Sequence, residues 1–204
     1  MINVCGMIST GKSIYASLIS ELIATEFYAI DREDAFTYSL ERNADNIFVS
    51  HVYHCSERYR LMKKAIKHPR YVLNRHIIED LLFAEVSYDL GKITYEEKMV
   101  HQNLMNLFIS EIEKEKESDL YIYLKCDHEH MMTLIDWTKF HPDEEKDIRE
   151  FYMALHTRYD EWMTEHVNPK ELMTIDIEKR NINDPVEREA ILSDILLRIE
   201  SMGI

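Results

Sequence analysis

Residues 6–13 read Gly6-Met7-Ile8-Ser9-Thr10-Gly11-Lys12-Ser13 and fill every fixed position of the phosphate-binding pattern G-x-x-x-x-G-K-[ST]. The short apolar run Ile2-Asn3-Val4-Cys5 precedes it, and helix formers from Ser13 to Glu21 follow at once. Strand, glycine-bounded loop and helix form the context this chemistry needs. The glycines let backbone N–H groups turn inward around phosphate oxygens, the lysine brings a point charge to the β/γ-phosphates, and the hydroxyl ligates Mg²⁺. The pattern therefore assigns Gly6, Ser9, Thr10, Gly11, Lys12 and Ser13 to ATP, with Mg²⁺ on Ser13. The alternative is a glycine-containing turn with a solvated lysine.

Composition narrows the rest. The chain of 204 residues carries 24 Lys+Arg against 38 Asp+Glu, a formal net charge of −14. Such a surface repels nucleic-acid phosphates and anionic lipid, so a small anion in one locally basic pocket is the expected ligand rather than a polymer. Cys5, Cys55 and Cys126 are the three cysteines. Two of them fall in expected buried strands, which suits reduced thiols in a cytoplasmic setting. No segment approaches the ~20 apolar residues that span a bilayer, and the amino-terminal run lacks a signal-peptide pattern. With no Gly-, Pro- or Ser-rich divider, one domain over residues 1–204 is expected.

Runs rich in β-branched and aromatic residues recur at 2–5, 25–30, 71–73, 120–126 and 172–177. Between them, 46–67, 77–86, 95–116, 144–166 and 185–199 carry apolar residues at three- and four-residue spacing. This alternation predicts an α/β fold, a five-stranded parallel sheet flanked by helices. Asn183-Asp184-Pro185 supplies a start signal for the last helix. The charged run 111–117 reads as a solvated helix face.

Several further stretches agree with one family in order along the chain. They are Phe27-Tyr28, the segment Phe48 to Tyr59 with His51 and Arg58, the segment Val72 to Ala84 with Asn74-Arg75-His76 and Asp80, Asp89 to Thr94, Leu120 to Leu124, and Tyr152 to Trp162. In these the sequence resembles the deoxynucleoside kinases, particularly the short bacterial deoxyadenosine and deoxyguanosine kinase branch. The resemblance implies the P-loop kinase fold with a short lid at about 135–146 and transfer of the γ-phosphoryl of ATP to a nucleoside 5′-hydroxyl. It further implies a homodimer paired through two long helices, here 46–67 and 95–116. On this resemblance Arg75 steadies the transferred phosphoryl group, with a surface strand-end arginine as the alternative. Arg58 and Asp80 sit over the base, with a helix-to-helix ion pair as the alternative. Glu144 meets the sugar 3′-hydroxyl, unless it is only an acid favoured at a helix start.

The sequence also departs from that pattern. Where the family has its basic Glu after the second strand, the simplest register gives Ala29, and Asp31 two residues on is the expected catalytic base. The acid of the Asp/Glu-Arg-Ser motif is Asn74 and its serine is His76, so metal binding leans on Ser13, ATP and water. His51 replaces the base-reading Gln, unless it is a core histidine. The lid, arginine-dense in the family, offers only Lys139 and His141 to ATP. Two alternatives follow: a catalytically weakened nucleotide-binding relative that serves as a regulatory or partner subunit, and a nucleoside monophosphate kinase. The acceptor expected first is a natural or modified deoxynucleoside.

Overall fold

The computed structural model describes residues 1–30, 47–68, 70–115, 119–139 and 142–204. Five strands form one all-parallel sheet: β1 (Ile2–Gly6), β2 (Glu26–Tyr28), β3 (Tyr71–Asn74), β4 (Leu120–Lys125) and β5 (Leu172–Asp176). Their spatial order is β2-β3-β1-β4-β5. Seven helices accompany them among the described residues: α1 (Lys12–Leu22), α2 (Ile47–Ala65), α3 (Ile78–Asp89), α4 (Tyr95–Glu113), α5 (His128–Leu134), α6 (Pro142–His166) and α7 (Pro185–Met202).

The three central strands, β3, β1 and β4, are buried on both faces, which is why they read as apolar runs. Alternation along β4 divides the core. Leu120, Ile122 and Leu124 join Ile2, Val4, Ile19, Ile191 and Ile195 beneath α1 and α7. Tyr121 and Tyr123 join Cys5, Leu82, Leu155, Tyr159 and Met163 beneath α3 and α6. A third cluster, with Tyr28, Cys55, Met62, Leu73, Met105 and Ile112, seats α2 and α4 beside β2 and β3. The chain leaves β1 toward one face through α1 and leaves β3 toward the other through α3. The crevice between the carboxyl ends of β1 and β3 is therefore a topological switch point, where open α/β sheets hold ligands.

Local chemistry sets the helix starts. Thr94 Oγ1 accepts from Glu97 N at 3.2 Å, and Glu97 Oε2 accepts from Thr94 N at 2.7 Å, a reciprocal cap on α4. Asp184 Oδ1 accepts from Val186 N and Glu187 N at 3.0 Å, with Pro185 at the first helical position, as the sequence signal predicts. The structure also adjusts several bounds. The edge strand β2 shrinks to three residues, and α6 starts at Pro142, ahead of the expected Glu144, because proline suits a first helical turn. The helix α5 has no counterpart in the sequence reading. Seven residues are too few to show a period, and its signal is the Asp127 cap, whose Oδ1 accepts from His130 N at 2.7 Å.

Candidate functional site: the crevice at the end of β1

The loop after β1 is shaped by its glycines. Gly6 has φ 140°, and a Cβ there would lie 2.7 Å from the Leu124 carbonyl oxygen, so only glycine lets the chain pass β4 at this distance. Gly11 caps α1 in the left-handed region (φ 85°), and no side chain caps this helix. The start of α1 thus presents backbone rather than a capping side chain to the loop, where the helix dipole favours an anion. Inside the loop the Met7 carbonyl accepts from Thr10 Oγ1 at 2.8 Å and from Lys12 Nζ. Lys12 is buried, while Ser13 stands exposed at the rim. Asn74 Nδ2 donates to Ser13 Oγ at 2.9 Å, which joins the end of β3 to the loop and leaves the serine oxygen able to ligate a cation. These residues fit a Mg-nucleotide: uncapped amides for phosphate, a lysine beside them, and a hydroxyl for the metal.

Arg75 is not a surface strand-end arginine. It is 5% exposed, and its backbone takes φ 80°, uncommon for a residue with a Cβ. Ser9 in the loop is likewise at φ 62°. Backbone strain gathered at one crevice is a mark of a functional site. The Arg75 guanidinium donates from Nη1 to Glu79 Oε2 at 3.0 Å and lies 3.2 Å from the Tyr159 hydroxyl, with its carbon 4.8 Å over the Phe83 ring. Glu79, fully buried, also accepts from His76 N at 2.8 Å, from Gly6 N at 3.4 Å and from the Tyr159 hydroxyl. Burial and the nearby Glu79 charge push the Tyr159 phenol well above its ordinary pKa, so it stays a donor. One carboxylate thus ties the phosphate loop, the β3 arginine and α6 together.

Arg58 and Asp80 meet as an ion pair between α2 and α3. Nε donates to Oδ2 at 2.7 Å and Nη2 to Oδ1 at 3.2 Å, while Nη1 reaches the Asn74 carbonyl at 3.4 Å. This two-point geometry fixes the carboxylate at the end of β3. His51 Nε2 lies 2.8 Å from Ser87 Oγ, so that helix position faces α3 rather than solvent. Burial, then the neighbouring His101 ring, lowers the His51 pKa to about 4, with Asp80 acting in the opposite direction. His51 is therefore neutral near pH 7.

In the expected lid, Trp137–Lys139 form a 3₁₀ turn, and the Lys139 side chain lies outside what the structure describes. The sequence reading passed over Arg149, whose guanidinium carbon sits 3.7 Å over the Trp137 ring while Nε donates to Glu145 at 2.7 Å. Asp31 and His141 lie outside the described residues, as does the Glu144 side chain. The sequence reading also missed Glu79 and His101. An acid four residues after Arg75, directly after the apolar pair Ile77-Ile78, was the available signal for a buried charge pair. A cleft of about 620 Å³ lined by Lys170, Glu171, Arg198 and Met202 lies at the opposite, amino end of the strands and is separate from this chemistry.

Five parallel strands with a glycine-lysine loop feeding a helix at the switch point define a P-loop kinase fold. The family model described as deoxynucleoside kinase matches residues 2–199, and the chain belongs to that family. A deoxyguanosine kinase of Lactobacillus johnsonii is 27% identical over 207 residues, covering 97% of this chain and 92% of that protein. One from Lactobacillus acidophilus is 26% identical over 208 residues, covering 97% and 90%. Among solved structures, deoxyadenosine kinase from M. mycoides with bound dCTP aligns at TM-score 0.74 and 19% identity, over 95% of this chain and 97% of that one. The same enzyme with products dCMP and a flexible dCDP bound gives 0.75 and 20%, over 95% and 97%. The chain is thus a transferase of the kinase class that phosphorylates nucleosides.

Proposed function

We propose that this enzyme transfers the γ-phosphoryl of ATP to the 5′-hydroxyl of a deoxynucleoside, with a purine deoxynucleoside as the first candidate because the curated relatives are deoxyguanosine kinases. The observation that carries the reading is the uncapped start of α1 beside Lys12, opening into the crevice where Arg75 and the Arg58–Asp80 pair stand. Bound Mg-ATP supplies the transferable phosphoryl and the neutralising cation. The γ-phosphorus–oxygen bond to ADP breaks, a bond to the 5′-oxygen forms, and the 5′-hydroxyl proton passes to the Asp31 carboxylate. Lys12 and the loop amides hold phosphate, Ser13 holds the metal, and Arg75 balances charge on the moving group. Lys139 and His141 add cationic cover to the ATP phosphates. His51, Arg58 and Asp80 face the base, and Glu144 accepts from the sugar 3′-hydroxyl.

One observation favours a second reading, nucleotide binding with weak turnover: Arg75 is committed to Glu79 and Tyr159, and Asn74 carries no charge for the metal. Incubation of each natural deoxynucleoside with Mg-ATP, against a Lys12→Ala control, separates the two. Phosphorylation absent above that control removes the kinase reading; tight ATP binding together with that result supports the second.

Homodimerisation is part of the proposal. Val49 on α2 and Tyr95, Val100 and Leu107 on α4 are apolar and exposed on the two long helices expected to pair. A cytoplasmic location is supported by three buried free cysteines, and no helix among the described residues is long and apolar enough to cross a membrane.

A further inference from the structure

Two imidazoles face each other where α2 packs on α4. The ring centroids of His51 and His101 are 5.7 Å apart in an edge-on arrangement. His101 is fully buried, on the same face of α4 as Met105 and Ile112. Among the described residues, neither of its ring nitrogens has a hydrogen-bond partner. A buried donor and acceptor left unmade are costly, and an apolar side chain in that stripe would avoid the cost. The histidine therefore calls for a partner that arrives from outside the resting structure.

Its surroundings indicate which partner. Asp80 acts electrostatically on both rings from α3, and the same Asp80 is gripped by Arg58 at the end of β3. His101 thus stands behind the group of side chains assigned to the base. Chemistry adds the reason for a second ring. An amide presents a donor and an acceptor side by side, whereas one neutral imidazole carries them at separate ring positions. A base edge with adjacent donor and acceptor is matched by an amide alone or by two imidazoles from neighbouring helices.

We propose that His101 is a specificity-determining residue, its imidazole hydrogen-bonding the nucleobase edge beside His51 once the base draws His51 away from the Ser87 hydroxyl. This rests on the deoxynucleoside kinase reading above. Neutral rings suit the role, since burial lowers the pKa of both histidines.

The test measures kcat/KM for deoxyadenosine, deoxyguanosine, deoxycytidine and thymidine in the wild type, His101→Phe and His101→Gln. Loss of a base-reading hydrogen bond is expected to shift the ratio between best and second-best nucleoside by about tenfold in His101→Phe, with partial return in His101→Gln. A purely structural role leaves that ratio unmoved, and a change below about threefold overturns the inference while the kinase reading stands. Should the wild type turn over none of the four, the kinase reading falls and this inference with it. If His101→Phe does not fold, ¹⁵N-imidazole NMR of the wild type decides. Saturation with the best nucleoside is expected to shift a His101 ring nitrogen, and an unshifted His101 overturns the inference.

Discussion

Nη1 of Arg75 lies 3.0 Å from Oε2 of Glu79, with both side chains out of solvent. Glu79 also accepts from the Gly6 amide, so the residue that shapes the phosphate loop and the arginine at the end of β3 share one carboxylate. Arg75 holds a strained φ while bound there. The pair keeps the ends of β1 and β3 in fixed relation, at the cost of burying two charges.

Breaking that pair is expected to be severe. Glu79→Leu leaves the Arg75 charge buried and unpaired, which costs about 3–5 kcal/mol. Urea unfolding followed by circular dichroism measures it. The double variant Arg75→Met/Glu79→Leu is expected to regain most of the loss, since an apolar pair of similar volume removes both desolvation penalties. A single-variant loss below about 1 kcal/mol would refute the view that Glu79 compensates Arg75.

Gly6→Ala tests the loop geometry. The added Cβ meets the Leu124 carbonyl oxygen at 2.7 Å, and that atom belongs to the backbone of a central strand and cannot step aside. Together with the unfavourable φ, this is expected to cost on the order of 2–4 kcal/mol and to abolish ATP binding. Calorimetric titration with Mg-ATP and a melting curve check the two parts. Gly11→Ala meets nothing closer than Tyr15 at 4.0 Å, so it bears only the backbone cost and should lose about 1 kcal/mol.

Much of this architecture was legible in the residues. The glycine-lysine pattern located the loop, and because both faces of a parallel sheet are covered, each central strand announced itself as an apolar run. Arg58 and Asp80 pair between α2 and α3, the helix-to-helix ion pair that the sequence offered as the alternative to a base-facing role. What sequence hid was long-range polar closure. Glu79 meets Tyr159 from eighty positions away, and no local period marks such a contact. His101 carried the helical spacing of a core residue, so its chemistry was masked by its periodicity. Arg149 lay beyond the segment expected to supply cations, and only folding brings it over Trp137.

Asn74→Asp is expected to strengthen metal binding. In the structure Asn74 donates its amide to Ser13 Oγ, where a carboxylate would instead face the cation with negative charge. The Mg²⁺ concentration giving half-maximal turnover should fall by about tenfold in the variant, one charge-assisted contact being worth about 1.5–3 kcal/mol. Kinetics at fixed ATP and varied Mg²⁺ decide it. An unchanged requirement would place the metal away from the end of β3.

The buried imidazoles set a pH dependence of stability. Burial first, then the charge of His101, with His54 adding to it and Asp80 opposing, holds His51 at about 4 against an ordinary 6.5. The unfolded chain therefore binds a proton before the folded one does. Stability from this group is complete above pH 6.5 and declines as pH falls toward 4, and His101, lowered by burial, contributes in the same direction. The whole decline from His51 amounts to at most about 3 kcal/mol. Urea midpoints in steps across that window should fall steadily in the wild type and more shallowly in His51→Gln, which has no proton to gain. Equal slopes in the two proteins would mean that His51 is protonated as readily when folded as when unfolded, and that its ring is hydrated rather than packed between α3 and α4.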